Sequence, residues 1–331
     1  MIEEVAPNLF RIEVPLPRNP LRSINSYAIK GDERNLVVDT AMNREECESV
    51  LSASYEKLGL DLESTDFFIT HFHADHMGLV SRFATDTSLV YYNKIEAAFL
   101  SNSGRKGDFQ SRMSVAARLN GFPEDEIKKS AENHPGFKYG PPKHPEFTIL
   151  SEGDKLHVGE YSFECISTPG HTFGHMCLYE KNKKILLSGD HVLGDITPNI
   201  AHEGGEGNPL GDYLDNLDKV DALEVDLVLP GHRSIFTNFH ERIQELKDHH
   251  QERCDEVLTI LGGGEMTVYE IAGRMTWNIT AKSWADFPIM QKWFASGECN
   301  AHLIYLERLG KVQRRVAGGV SHLSLNDGAH G

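Results

Sequence analysis

The sequence is poor in cysteine and lacks the segments that carry a chain to or through a membrane. Its five cysteines are odd in number, scattered and free of any CxxC pair, which argues against a disulfide framework or a cysteine-built zinc site. The first residues contain neither the basic stretch nor the apolar core of a signal peptide, and no apolar run approaches a membrane span. We therefore expect a soluble, cytoplasmic protein with no membrane partner.

Positive charge is also scarce, since 33 Lys and Arg stand against 49 Asp and Glu, for a formal net charge of −16. This balance disfavours nucleic acid as a partner, although it does not exclude a local basic groove. The 331 residues, 40% of them hydrophobic, can bury a sizeable core, and we expect one large domain with a smaller one.

The densest group of chemically capable residues is Thr-His-Phe-His-Ala-Asp-His at positions 70–76, directly after an apolar run that predicts a buried strand. On an extended segment, His71 and His73 point the same way because side chains alternate with period two. Asp75 and His76 are adjacent and cannot share that direction, which suits a second metal beside the first. A polar loop that happens to be rich in histidine is the alternative, but such a cluster gains nothing unless a cation organises it.

Three further candidate ligands follow short apolar runs later in the chain: His171 after Pro-Gly, Asp190 after Ser-Gly, and His232 after Pro-Gly. One metal would take His71, His73 and His171. A second would take Asp75, His76 and His232, with Asp190 bridging the two. These sets leave room for a water, as catalytic sites do. Histidine with carboxylate suits two zinc ions, with iron or manganese as alternatives.

The pattern HxHxDH at 71–76, together with His171, Asp190 and His232, resembles that of the metallo-β-lactamase superfamily over roughly residues 1–260. The resemblance implies an α/β fold, an αββα sandwich of two packed sheets flanked by helices, with a binuclear site at one edge. The pairing of His76 with Asp190 is similar to the glyoxalase II, ribonuclease Z and phosphodiesterase-like branches. True β-lactamases usually carry cysteine where Asp190 stands, so antibiotic hydrolysis is disfavoured.

Four other polar residues are weaker candidates. Asp39 ends an apolar strand and could support a metal ligand by hydrogen bonding, although it or Thr40 could equally cap a helix predicted near 44–58. The loop that leaves Asp190 carries the other three, His191, Asn199 and His202. Asn199 and His202 could reach substrate and His191 could support the site, whereas His191 and Asn199 could also simply tie down the loop backbone.

Two regions outside the ligand pattern are predicted as additions. Residues 94–135 form a charged, helix-like insertion that either covers the site or is a surface excursion. Gly262-Gly263-Gly264 mark the boundary between a catalytic domain, 1–261, and a second domain, 262–331. Helices followed by a hairpin there resemble a winged-helix domain, similar to the small C-terminal domain of the β-lactamase-like protein 2 subgroup. With seven Lys and Arg against six Asp and Glu, that tail favours a packing role, including homodimerisation, over nucleic-acid binding.

These features predict a metal-dependent hydrolase in which a metal-bound hydroxide attacks a small-molecule ester or thioester, with Asp75 orienting the nucleophile and shuttling its proton. A phosphodiesterase or ribonuclease remains the main alternative. A di-iron oxidoreductase and a non-enzymatic regulator that senses a ligand through the metal domain are the others.

Overall fold

The structure is a computed structural model that describes residues 1–102, 106–202 and 206–326. Its contacts divide these residues into two compact units. The sheet unit comprises Met1–Asn102, Pro135–Pro198 and Asp218–Ile243, and the helical unit comprises the described residues of Ser103–His134, Asn199–Leu217 and Gln244–Gly331. The predicted insertion is thus shared between the two units, with its residues 103–105 outside the described parts. The predicted boundary at 261/262 divides the chain into two continuous domains, whereas each of these units is made of several separate segments. The boundary therefore stays a prediction.

The first sheet of the sheet unit contains seven strands in chain order. They are β1 Ile2–Ala6, β2 Leu9–Pro15, β3 Ser23–Ile29, β4 Asn35–Val38, β5 Thr65–Phe68, β6 Val90–Asn93 and β7 Phe147–Leu150. The first four strands pair antiparallel, and β4 to β7 pair parallel. The second sheet has the order β12-β11-β10-β9-β8. Its strands are β8 Lys155–Val158, β9 Tyr161–Ser167, β10 Met176–Glu180, β11 Ile185–Gly189 and β12 Leu227–Pro230.

The two sheets bury one hydrophobic core between them. Tyr27 and Phe68 from the first sheet lie in the same buried cluster as Phe163, Leu178 and Leu187 from the second. Each strand supplies such residues from one face, because side chains alternate along a strand. The α/β fold with two packed sheets is therefore confirmed.

Short and medium helices cover the outer face of the first sheet. Those wholly within the sheet unit are α1 Glu45–Leu58, α2 Ala74–Met77, α3 Val80–Phe83, α4 Lys94–Asn102 and, later in the chain, α7 Pro135–Tyr139. Leu51 and Tyr55 of α1 are buried with Phe83 of α3 in a second core cluster, in which the Tyr55 and Phe83 rings lie 5.0 Å apart. This packing holds the loops at the carboxyl ends of β4 and β5 against a rigid support.

The helical unit combines helices with a small sheet. Its helices are α5 Lys106–Leu119, α6 Glu124–Asn133, α10 Val268–Ala272 and α11 Ile289–Arg308, while α8 Pro209–Asp221 and α9 Phe239–Leu261 contribute residues to both units. Strands β14 Val312–Ala317 and β15 Val320–Leu325 form the predicted hairpin, and β13 Met266–Thr267 pairs with β15. Helix α11 begins directly after Pro288. No helix in the described residues is long and apolar enough to cross a membrane.

Candidate metal centre

The candidate ligands follow four strands of the sheet unit, β5, β9, β11 and β12, and the supporting candidate Asp39 follows a fifth, β4. Parallel strands end at the same edge of a sheet, so the segments after β4 and β5 are neighbours, as are those after β11 and β12. Asp39 follows β4 and the 70–76 segment follows β5. Asp190 follows β11, and His232 comes two residues after β12.

The 70–76 segment changes direction where α2 begins. His73 occupies the N-cap position with extended backbone angles, and Asp75 and His76 lie in the first turn of α2. His71 and His73 stand before this turn and Asp75 and His76 within it, but the separation is incomplete, because the His71 and His76 rings lie 4.0 Å apart. All of the segment's candidate ligands except His73 are buried, and His73 is partly exposed.

All seven predicted metal ligands come together in the structure. Their side-chain ligand atoms fall into three groups with every atom of a group within 4.8 Å of the others: His71, His73 and His171; His71, His76 and Asp190; and Asp75, His76 and His232. Asp190 Oδ2 lies 3.5 Å from Nε2 of both His171 and His232, and its Oδ1 lies 3.5 Å from His76 Nε2. The one carboxylate thus contacts histidines of both predicted sets, which is the position a bridging ligand requires.

The donor atoms fit divalent cations by an independent criterion. His76 Nε2, Asp190 Oδ1 and His232 Nε2 are buried and have no hydrogen-bond partner. Buried polar atoms without partners are costly, and these three lie together, since Asp190 is 3.5 Å from both imidazoles, so a divalent cation there would satisfy them. Imidazole with carboxylate is a donor set for zinc, iron or manganese. These residues would hold the metal.

Burial and mutual attraction set the protonation states of three of the candidate ligands. Burial, together with the neighbouring histidines, holds the pKa of His71 well below its usual value, so its imidazole is neutral and has a lone pair to donate. Burial also opposes charge on His76 and Asp190. Their mutual attraction, with Asp39 acting on His76 and His232 on Asp190, outweighs it, so the pKa of His76 is raised and that of Asp190 is lowered. Asp190 is therefore ionised, as a bridging ligand must be.

Two hydrogen bonds orient ligand imidazoles from behind. Asp39 Oδ2 lies 2.7 Å from His76 Nδ1, and its Oδ1 accepts the Thr70 N–H at 2.8 Å. His232 Nδ1 donates to Ser23 O at 2.7 Å. Each contact orients its ring so that Nε2 lies beside Asp190, where a cation that displaces any proton on Nε2 would be bound.

The alternative capping role for Asp39 or Thr40 is not seen. Helix α1 begins at Glu45 with Arg44 at its N-cap position and no side-chain cap. Asp39 instead adopts a positive φ of 55°, and Thr40 donates its hydroxyl to His76 O at 2.8 Å. Both residues therefore face the metal loop, and a supporting role for Asp39 remains our proposal.

The loop candidates after Asp190 lie in different surroundings. His191 belongs to the sheet unit, is fully buried, and has its ring 6.1 Å from that of His175. Asn199 and His202 belong to the helical unit, where Asn199 Nδ2 lies 3.2 Å from Glu298 Oε2 and His202 Nδ1 lies 3.0 Å from Asn300 Nδ2. These contacts hold the segment against α11, and a substrate contact for either stays a prediction.

Two buried residues near the centre were missed from the sequence. His175 Nε2 accepts the Asp190 N–H at 3.1 Å, and its Nδ1 lies 2.7 Å from Thr168 Oγ1. Glu96 hydrogen-bonds to Tyr92 and Thr172. His175 stands directly before an apolar strand and so gave a weak signal, whereas Glu96 is a lone carboxylate inside the predicted insertion and gave none.

Known proteins place this fold and site in a class. The sequence profile described as the metallo-beta-lactamase superfamily matches residues 19–232, nearly two thirds of the chain. The chain therefore belongs to the metallo-β-lactamase superfamily, and it is a hydrolase of that superfamily. The crystal structure of a metallo-beta-lactamase family protein from Thermus thermophilus superposes with a TM-score of 0.81 at 28% identity, covering 97% of this chain and all of that one.

Two of the relatives with named activities are thioesterases. The human acyl-coenzyme A thioesterase MBLAC2 is 25% identical over 228 residues, which are 64% of this chain and 74% of the relative. An atrochrysone carboxyl ACP thioesterase from Emericella nidulans is 22% identical over 242 residues, 73% of this chain and 61% of the relative. Both relatives are thioesterases by name.

Proposed function

We propose that this protein is a binuclear, zinc-dependent hydrolase of a small-molecule ester, and specifically of a thioester. The observation that carries the proposal is the convergence of seven His and Asp side chains with Asp190 between the two sets. The thioesterase names of two relatives support the substrate class. Two divalent cations bound there would supply a nucleophilic water near neutral pH and polarise the substrate carbonyl.

The chain's own residues then have distinct tasks. Asp190 holds the two ligand sets together. Asp75 is buried and its Oδ2 lies 3.5 Å from His232 Nε2, so its carboxylate faces the space where the attacking water belongs. We assign it the roles of orienting that water and accepting its proton. His73, which is partly exposed, marks the side from which substrate enters.

Zinc is the metal we favour, with iron and manganese as alternatives. The seven donors are imidazoles and carboxylates with no thiolate among them, and all five cysteines are free and buried. Such a donor set accepts all three metals. Metal-assisted ester hydrolysis uses a Lewis acid and no redox chemistry, and zinc is a Lewis acid without redox chemistry.

Nucleic acid is a weaker candidate substrate. The fold of the tail, with α11 followed by the β14–β15 hairpin, supports a winged-helix interpretation. However, Arg314 pairs with Glu307 at 2.8 Å and Arg315 with Glu265 at 2.6 Å. Arginines already neutralised by carboxylates contribute little to phosphate binding. We therefore assign the tail a packing role, which includes homodimerisation. The oligomeric state in solution is the measurement that tests it most directly.

A parallel substrate assay tests the proposal. Zinc-loaded protein is offered an acyl-coenzyme A thioester and a single-stranded RNA, with His71→Ala as the inactive control. We expect thioester cleavage that is lost in the variant, and no RNA cleavage. RNA cleavage lost in the variant would replace the proposal with the phosphodiesterase alternative. Thioester cleavage retained in the variant would show that the activity does not depend on the metal centre.

A further inference from the structure

An aromatic surface borders the metal centre on the side of His73. We call the side chains of Phe72, Phe99 and Phe173 the phenyl patch. The Phe72 and Phe173 rings stack at 5.3 Å, and Phe99 lies 4.8 Å from Phe173 and 5.5 Å from Phe72. The Phe72 ring is 4.8 Å from that of His73. Two ligand loops and helix α4 thus each contribute one ring to a single cluster.

The phenyl patch is exposed to solvent at Phe173. Phe173 is 41% exposed, although it follows the candidate ligand His171 by only two residues. A phenyl ring that stays exposed does not gain the hydrophobic free energy of burial. Exposed apolar patches of this kind mark binding sites. Its continuity with His73 places it where the part of a substrate adjoining the scissile bond must lie.

We propose that the phenyl patch binds the apolar acyl group of the substrate and makes the enzyme selective for long acyl chains over short ones. This inference rests on the proposed thioester hydrolysis and deepens it. An acyl chain is the occupant that fits, because the patch has no charged member and adjoins the metal centre, where the carbonyl carbon is attacked. Each buried methylene of the chain would add to binding.

Kinetics with acetyl-, hexanoyl- and decanoyl-coenzyme A test this selectivity. The variant is Phe173→Ala, and the control is Leu89→Ala, since Leu89 is 44% exposed but precedes β6, at the edge opposite to the metal centre. We expect Phe173→Ala to lower kcat/KM for the decanoyl ester at least about fivefold and for the acetyl ester less than about twofold. Equal losses for all three esters, or no loss, overturn the proposal.

A binding measurement separates this inference from the proposed function. Calorimetric titration of zinc-loaded protein with decanoate does not depend on turnover. If no thioester is cleaved but decanoate binds and Phe173→Ala weakens that binding, the binding role of the phenyl patch is supported and the proposed thioester hydrolysis is refuted. Decanoate binding that is absent or equal in the wild type and Phe173→Ala overturns the patch.

A second inference comes from the hydrogen bonds of Glu96, a different observation. Its carboxylate, on α4, is fully buried and accepts hydrogen bonds from the hydroxyls of Tyr92 and Thr172. The backbone amides of Gly174 and Phe72 also hydrogen-bond to it. No cation is among these partners.

The four donors lie on three segments, of which two carry metal ligands. Phe72 stands between His71 and His73, and Thr172 directly follows His171. One carboxylate therefore joins the 70–76 segment to the 171–175 segment. We infer that Glu96 is a positioning residue that sets the distance between His73 and His171.

Two substitutions that each remove one hydroxyl donor provide the test. Thr172→Val removes the hydrogen bond between Glu96 and the segment that carries His171. Tyr92→Phe removes only the hydrogen bond between Glu96 and β6. We expect Thr172→Val to weaken zinc binding about tenfold in competition with a chelator, Tyr92→Phe to change it less than about twofold, and Thr172→Ser to restore it. Equal effects of the valine and phenylalanine variants, or no effect of either, contradict the positioning role.

Discussion

Asp39 Oδ2 and His76 Nδ1 lie 2.7 Å apart, and both side chains are buried. The contact joins the residue directly after β4 to a candidate metal ligand in the segment after β5. It orients the imidazole, because a proton held between Nδ1 and Asp39 leaves Nε2 as the nitrogen that would bind a cation.

Asp39→Asn tests this support. The amide oxygen can still accept a hydrogen bond from Nδ1, but the negative charge that raises the basicity of His76 is lost. We expect zinc affinity to fall about 10- to 100-fold, measured by competition with a chelator. Asp66→Asn is the matched control, since Asp66 is equally a buried carboxylate of the sheet unit but pairs with Arg34. Unchanged affinity in Asp39→Asn would remove Asp39 from the metal site.

Gly231→Ala tests how closely the backbone approaches the bridging ligand. A Cβ at position 231 would lie 2.6 Å from Asp190 Oδ1 and 2.9 Å from His76 Cε1, so the carboxylate must move. We expect zinc affinity and turnover to fall at least about tenfold while the circular dichroism spectrum is retained.

Gly153→Ala is the control for the glycine substitution. Its φ of +81° strains any side chain, but nothing lies within 4 Å of its Cβ position. It should lower stability slightly and leave zinc affinity unchanged. Equal zinc affinity in both alanine variants would show that Asp190 is not held where the structure places it.

Glu298→Gln tests a pH dependence in the helical unit. Burial raises the pKa of Glu298 to about 7 from its usual 4.5. The folded state therefore holds the proton more tightly, and this stabilisation is complete below pH 4.5 and lost as the pH rises through 7. We expect the free energy of unfolding of the variant, minus that of the wild type, to rise by the order of 2 kcal/mol between about pH 5 and 8.

Tryptophan fluorescence during urea unfolding measures that difference selectively. The chain's three tryptophans, Trp277, Trp284 and Trp293, all lie in the helical unit. Zinc concentration is held constant at each pH so that the variant and the wild type are compared under equal metal loading. A difference that does not change across this pH range contradicts the raised pKa of Glu298.

The sequence indicated the candidate ligands more readily than the residues around them. The seven are candidates because they follow apolar runs, and the structure brings their side chains together. Asp39 is a candidate for the same reason, and its supporting role stays a prediction. His175 and Glu96 were not indicated, because the contacts that tie them to the ligand segments are backbone amides and, for Glu96, the distant Thr172, and spacing does not reveal these.

The extent of the additions was the least predictable part of the fold. The 94–135 segment looked like a single insertion, but α4 packs within the sheet unit while α5 and α6 belong to the helical unit. Whether a polar helix packs on one core or another depends on contacts such as those of Glu96, and a charge pattern alone does not specify them. The hairpin about Gly318-Gly319, by contrast, is local and was predicted.

Reconstitution of the metal-free protein tests the central claim most directly. Protein stripped by a chelator is titrated with zinc while hydrolysis of an acyl-coenzyme A thioester is followed, alongside His71→Ala. The account predicts no turnover without metal, a maximum at about two zinc ions per chain, and none in the variant at any zinc concentration. Full turnover of the stripped protein would contradict the metal-dependent mechanism, and a maximum at one ion per chain would contradict the binuclear site.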